Sequence, residues 1–213
     1  MSSREVILDR LRMHSPQTHS KMRIAMPEIA KGSIEMFSDK ATGAGAKVSV
    51  VKGLEEAKAR LEEILTEVSG DILLSSEDLL KDLQIEKLPA ANNRIITEAM
   101  VESLANYKKQ AFSSAIGITS CDYAIAETGS LIIEHGNHNE RLISLAPPIH
   151  ICVLKEEQIM ENRYMLAKIL EGKTKYSSAY SIITGVSRTA DVALQVVLGM
   201  HGPKNVFIII CTD

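Results

Sequence analysis

The sequence predicts an α/β protein built on a largely parallel sheet covered on both faces. Two observations carry this. Short runs that are apolar on nearly every residue, such as DILL, IHICVL and NVFIIIC, recur along the chain, and only a strand buried on both sides needs apolar side chains on both sides. Between them lie stretches with helical spacing, as in Leu54, Ala57, Leu61 and Leu65, and strands alternating with helices build a parallel sheet flanked by helices.

Taken in order, residues 3–13 place Val6, Ile7, Leu8 and Leu11 among charges and predict a short helix, while the residues after it show no clean period. Residues 1–31 therefore read as an N-terminal arm and 32–213 as the α/β domain. From Gly32 the pattern predicts a helix ending near Gly43, a strand at KVSVV and a helix over GLEEAKARLEEIL. GAGAK, Gly43 to Lys47, lacks the spacing of a phosphate loop and runs from helix into strand, so it reads as a glycine helix stop. DILLS is a buried strand, with a serine of SSED as cap for a helix through Leu83. NNRIITEAMVESLANYKKQ is expected to be helical from Asn92 or Asn93, and AFSSAIGITSCDYAIAETGSLIIEHG to add several short strands to the sheet. RLISLAPPIHICVL predicts two strands around Pro147 and Pro148, and EEQIMENRYMLAKILEG a helix. SIITG predicts a strand, TADVALQVVLGM a helix and NVFIIIC a last strand.

Composition narrows the function classes. Of the 213 residues, 45% are hydrophobic and 24% charged, ordinary values for a globular chain. A formal net charge of −3 and only 4% aromatics supply neither the basic field nor the stacking platform that nucleic-acid binding uses. The start, MSSREVILDRLRMHSP, lacks the apolar core of a signal peptide, and no run of about 18 apolar residues occurs. A cytoplasmic protein without a membrane span is expected. Cys121, Cys152 and Cys211 show no metal-ligand spacing and read as reduced, with Cys152 and Cys211 acting as small hydrophobes in apolar runs.

Three stretches can carry chemistry. EHGNHNER sets His135, His138 and Glu140 close together, but Gly136-Asn137 between two apolar runs is a hairpin turn signal, and no metal site is expected there. In AIAETGS, Glu127 follows an apolar strand directly, where a carboxylate must be paired, protonated or useful. It is either functional, at the carboxyl end of a strand where open α/β sheets bind ligands, or a structural ion pair. In SIITGVSRTADVALQ, Gly185 allows a sharp turn, Ser187 or Thr189 caps the expected helix, and Arg188 adds a planar fork for a carboxylate or phosphate. The alternative is a capped helix with Arg188 paired to Asp191.

The segments ITSCDYAIAETGSLI, APPIHI, GVSRTAD and LGMHGPKNVFIII resemble, in order and spacing, the lactate-utilization (LUD) domain of the LutC/YkgG family. The resemblance is specific over residues 112–213, weaker over 33–83 and absent over the arm. It implies a three-layer αβα fold like that of ribose-phosphate isomerase, glucosamine-phosphate deaminase and the CoA transferases (NagB/RpiA/CoA transferase-like). It also implies a part in oxidising L-lactate to pyruvate beside iron-sulfur partner proteins, the cluster being on the partners. Matched by motif, Glu127, Thr128 and Gly129 fall on AETG, Gly185, Ser187, Arg188, Thr189, Ala190 and Asp191 on GPSRTAD, and His201, Gly202 and Pro203 on HGP. Val186 stands where the family has proline, and Ala193 where it has an acid, so Asp191 is the single carboxylate of that segment.

The expected site therefore has Glu127 and Asp191 as catalytic carboxylates and Thr128, Gly129, Ser130, Gly185, Ser187, Arg188, Thr189 and His201 as binding residues for a small carboxylate or phosphate-bearing ligand. Two other readings stay open: a ligand-binding or assembly module without chemistry, and a transferase or isomerase like the fold relatives.

Overall fold

The computed structural model describes residues 3–13, 31–92, 94–101, 103–136, 141–190 and 196–213. Along the chain come α1 (Ser3–Met13), α2 (Ile34–Gly43), β1 (Lys47–Lys52), α3 (Gly53–Thr66), β2 (Ile72–Leu74), α4 (Asp78–Asp82), β3 (Ile95–Ile96) and α5 (Leu104–Ser113). There follow β4 (Ile116–Thr119), β5 (Tyr123–Ile125), β6 (Ser130–His135), α6 (Arg141–Leu145), β7 (Ile149–Lys155), β8 (Ile159–Met160) and α7 (Arg163–Gly172). Strands β9 (Ala179–Ile183), β10 (Arg188–Ala190), β11 (Val196–Leu198) and β12 (Asn205–Thr212) complete the series.

The apolar runs form the expected parallel sheet, in the order β1-β12-β7-β4-β2-β3. One face presents Ile72, Leu74, Ile116, Ile118, Ile151, Val153 and Ile209 to Ala57, Leu61, Ile64 and Leu65 of α3 and Leu80 of α4. The other presents Cys152, Leu154, Val206, Ile208 and Ile210 to Phe37 and Ala41 of α2 and to the β5–β6 region. Leu73 meets Tyr107 and Ala111 of α5 and Ile143 of α6 on that same side. Each large aliphatic side chain buried in these layers contributes about 1.5–3 kcal/mol. All three cysteines are buried.

Several segments differ from the sequence expectation. AIAETGSLIIEH does not extend the main sheet. It forms β5 and β6 of a second, mixed sheet, β8-β5-β6-β9, because the tight turn between them permits only antiparallel pairing. RLISL is the short helix α6, too brief for its period to separate helix from strand. A Cβ on Gly117 would stand 1.8 Å from the Ile143 carbonyl oxygen, so that glycine admits the α6 backbone onto the sheet. The helix expected from Asn92 starts only at Leu104, where the Ser103 hydroxyl accepts from the Asn106 N–H at 3.3 Å; Asn93 lies outside the described residues. Upstream, Arg94 spends its guanidinium on four carbonyls, those of Gly70 (2.6 Å), Leu65 (3.2 Å), Ala90 (2.7 Å) and Val68 (2.6 Å), closing the end of α3. The SSED helix is capped at Glu77 rather than at a serine. EEQIMEN precedes α7 as a 3₁₀ turn and β8, and the helix begins where the Asn162 side chain accepts from the Tyr164 N–H at 3.1 Å.

The largest departure is TADVALQVVLGM. Its described parts are strands: β10 pairs with β11 in antiparallel register, Arg188 opposite Leu198 and Thr189 opposite Val197. Thr189, Val196 and Val197 are β-branched, and a paired pleated backbone accommodates them better than a helix does. Residues 191–195, Asp191 among them, lie outside the described residues, as do His138, Glu140 and residues 14–30 of the arm.

His150 is fully buried under this architecture. Its Nε2 lies 2.8 Å from the Thr119 hydroxyl, its Nδ1 has no partner among the described residues, and burial lowers its pKa to about 4. A histidine held neutral this way favours folding above the unfolded value near 6.5 and loses that contribution as pH falls toward 4, since the unfolded chain then binds the extra proton. We predict that stability from urea unfolding drops by about 2 kcal/mol more between pH 7 and pH 5 in the wild type than in His150→Gln.

Candidate functional site

The turn between β5 and β6 sits at the amino end of the parallel sheet. β5 starts just after β4 and runs back, so its turn reaches the last residues of α2, which lead into β1. There Gly129, at φ 64°, presses its backbone on the helix: a Cβ would lie 2.2 Å from the Ala41 nitrogen. Gly185, at φ 69° after β9, does the same one turn on, where a Cβ would lie 2.1 Å from the Ala44 carbonyl oxygen. Both positions require glycine twice over, for the left-handed backbone and for the close approach.

These two contacts gather the expected residues. Thr128 Oγ1 lies 2.7 Å from Ser130 Oγ, which lies 2.7 Å from Thr184 Oγ1, so a chain of three hydroxyls ties the β5–β6 turn to the end of β9. Ser187 donates its N–H to the Pro203 carbonyl at 2.9 Å and accepts from the Gly199 N–H at 2.9 Å, which fixes GVSR beside HGP. Arg188 reaches over Gly45, whose missing side chain makes the room: a Cβ there would lie 2.7 Å from Nη2. The guanidinium thus stands just past the last turn of α2, at the negative end of that helix. Arg188 is exposed and has no carboxylate partner among the described residues.

Two expectations are corrected. The backbone of Arg188–Ala190 is taken up in a β ladder, so neither Ser187 nor Thr189 caps the expected helix there. What this segment offers an anion is the Arg188 side chain. The cluster also lies at the amino ends of β1, β12 and β7, not at their carboxyl ends, because the chain segments that carry it run antiparallel to the main sheet. At the carboxyl edge, by contrast, Lys31 Nζ is paired with Glu156 at 2.5 Å, beside a cavity of about 160 Å³ lined also by Lys155, Glu157 and Thr212.

Glu127 faces another way. Its carboxylate accepts the Arg163 N–H at 3.4 Å and lies 3.5 Å from Arg163 Nη1, while its own N–H donates to the Glu161 carbonyl at 3.0 Å. It braces the start of α7, and any proton transfer by Glu127 competes with that pairing. Thr189 is paired opposite Val197 in the hairpin, and His201 is exposed on the loop before β12. His135, the last residue of β6 before the expected turn, is buried, with Nε2 2.8 Å from the Ser181 hydroxyl. Among the described residues no three His, Cys, Asp or Glu side chains converge as a metal site requires. The sequence did not place Thr184, Gly45 or Lys204 among the site residues. Thr184 directly precedes GVSRTAD and Lys204 directly follows HGP, and only the fold shows that Gly45 underlies Arg188.

A family model for the LUD domain matches residues 34–211, the region that holds every one of these loops. The chain belongs to the LUD domain family. Among LUD-domain relatives, Lactate utilization protein C of Deinococcus radiodurans is 33% identical over 94 residues, 44% of either chain. The uncharacterized protein YkgG of Escherichia coli (strain K12) is 30% identical over 164 residues, 73% of this chain and 70% of that protein. Lactate utilization protein C of Oceanobacillus iheyensis is 22% identical over 218 residues, 98% of this chain and 81% of that protein. The chain thus spans less than half the length of the Deinococcus relative that it matches. A crystal structure of a DUF162 family protein from Deinococcus radiodurans superposes with a TM-score of 0.56 at 20% identity, covering 83% of this chain and 94% of that one. That likeness agrees with the α/β fold described above.

The two glycine contacts are testable. Gly185→Ala adds a strained backbone and a clash with Ala44, and we expect it to cost about 2–5 kcal/mol in urea unfolding. Gly43→Ala, in the same helix with nothing within 4 Å of the new methyl, is expected to stabilise by up to about 1 kcal/mol.

Proposed function

We propose that this LUD-domain chain acts in lactate utilization, as a subunit that works beside iron-sulfur partner proteins in the cytoplasm in oxidising L-lactate to pyruvate. The names of its lactate-utilization relatives support the process. A small carboxylate or phosphate-bearing anion is held where the TGS turn and GVSR meet. The observation that carries this is Arg188, a guanidinium lying over Gly45 without a carboxylate partner among the described residues. An arginine fork of that kind takes a carboxylate through two parallel hydrogen bonds. The hydroxyls of Thr128 and Ser130 lie on the neighbouring turn, linked to that of Thr184, and Asp191 is the carboxylate for moving a proton, since Glu127 is turned to Arg163.

Calorimetric titration with lactate, pyruvate and phosphate tests the site. Arg188→Lys keeps the charge and loses the fork, so binding of the best of these anions should weaken by about 10-fold or more, the loss of one charge-assisted bond worth about 1.5–3 kcal/mol. Equal binding by wild type and Arg188→Lys contradicts the assignment.

A further inference from the structure

Beside this cluster, on the same amino edge, a groove of about 480 Å³ opens between the helices and the HGPK loop. Its walls are Phe112 of α5, Leu142 and Leu145 of α6, and Met200. Phe112 is 71% exposed, Met200 62% and Leu145 40%, although α5 buries its neighbours Tyr107 and Ala111 against the sheet. Large apolar side chains grouped in a concavity and left to solvent mark a binding surface more than a folding one.

The groove's charge is of one sign. Among the described residues its ionisable lining side chains are His201 and Lys204, and neither has an acidic partner among them. Lys204 is held in place. Its stem crosses Gly199, where at φ 77° a Cβ would lie 2.1 Å from Lys204 Cγ, and its N–H donates to the Pro148 carbonyl at 2.8 Å. An ammonium and an imidazole beside an apolar trough, in a chain of net charge −3, form a complementary pattern for one kind of ligand.

We propose that this groove binds an organic anion with an apolar body. The aryl or long acyl portion packs on Phe112, Leu145 and Met200, and the carboxylate, sulfonate or phosphate group is taken by Lys204 and His201. The groove lies in the size range of sites for drug-sized ligands, and lactate would leave most of it unfilled. This site does not rest on the proposed role of Arg188.

The anionic fluorophore 8-anilinonaphthalene-1-sulfonate, its neutral relative N-phenyl-1-naphthylamine, and 2-naphthoate as competitor test the proposal on the full chain. We expect saturable fluorescence enhancement by the anionic probe, one probe per chain, with displacement by 2-naphthoate. Affinity should fall several-fold between about 50 and about 500 mM salt. Lys204→Gln and Met200→Ser should each weaken it by about 10-fold. Both side chains are exposed, so the variants should keep the wild-type circular dichroism and melting temperature, which separates loss of the site from loss of fold. The neutral probe should bind about 10-fold more weakly than the anionic one. Equal binding of the neutral probe, or wild-type affinity in Lys204→Gln, overturns the charged part. Wild-type affinity in Met200→Ser overturns the groove. Sedimentation showing a dimer that Phe112→Ser dissociates overturns the proposal in favour of a second copy as occupant. Displacement of the probe by lactate at concentrations that saturate the Arg188 site overturns the separateness of the two sites, whereas lactate binding without displacement leaves each standing alone.

Discussion

The arrangement of this protein's conspicuous motifs depends on two places where backbone lies directly on backbone. At Gly129 and Gly185 the β5–β6 turn and the segment after β9 rest on the last turn of α2 and on Ala44 just beyond it, at distances that leave no space for a Cβ. The apolar layer beneath, with Phe37 and Ala41 of α2 against Ala124, Leu131 and Ile133, supplies the burial that brings these surfaces together. The glycines decide how near they come and in what register. With that register set, Ser130 reaches Thr184, Ser187 reaches Pro203, and Arg188 passes over Gly45.

The electrostatics of the two sheet edges differ for the same reason. β9 of the second sheet leads through Gly185 to Arg188 at the amino ends of β1, β12 and β7, and the loop before β12 carries His201 and Lys204 to the same edge. None of them has a carboxylate partner among the described residues. The carboxyl edge carries Glu156 and Glu157, and Lys31 there is already paired. At so exposed a position, screening by salt competes with any anion that approaches the amino edge. Glu127, which the sequence sets next to these loops, is turned toward Arg163 and the start of α7, so proximity along the chain did not translate into proximity of its charge.

Much of the fold was legible in the sequence. IHICVL and NVFIII, apolar on both faces, became adjacent parallel strands with Ile151 opposite Phe207 and Val153 opposite Ile209, and the spacing of Ala57, Leu61 and Leu65 became the buried face of α3. Short segments were the weak point. RLISL holds too few residues to show a period. In TADVALQVVLGM the apolar positions fit a helix face as well as a hairpin, and the deciding partners, Ser187 with Gly199 and with Pro203, depend on loops that local spacing does not place. The motifs at Thr128–Ser130, Gly185–Arg188 and His201–Pro203 were legible as resemblance. Their convergence on α2 was not, because nothing in GAGAK announces that Gly45 makes room for an arginine from far along the chain.

The central claim is that a small anion binds this chain at the amino edge of its sheet, against the usual habit of open α/β folds. Backbone amide chemical shifts of the isotopically labelled chain, followed during titration with lactate and with phosphate, test it most directly. The account predicts that the amides to move are those of Gly129, Ser130, Gly185, Ser187 and Arg188. Movement confined to Ser75, Ser120, Lys155 and Thr212, at the carboxyl ends of the strands, would contradict it.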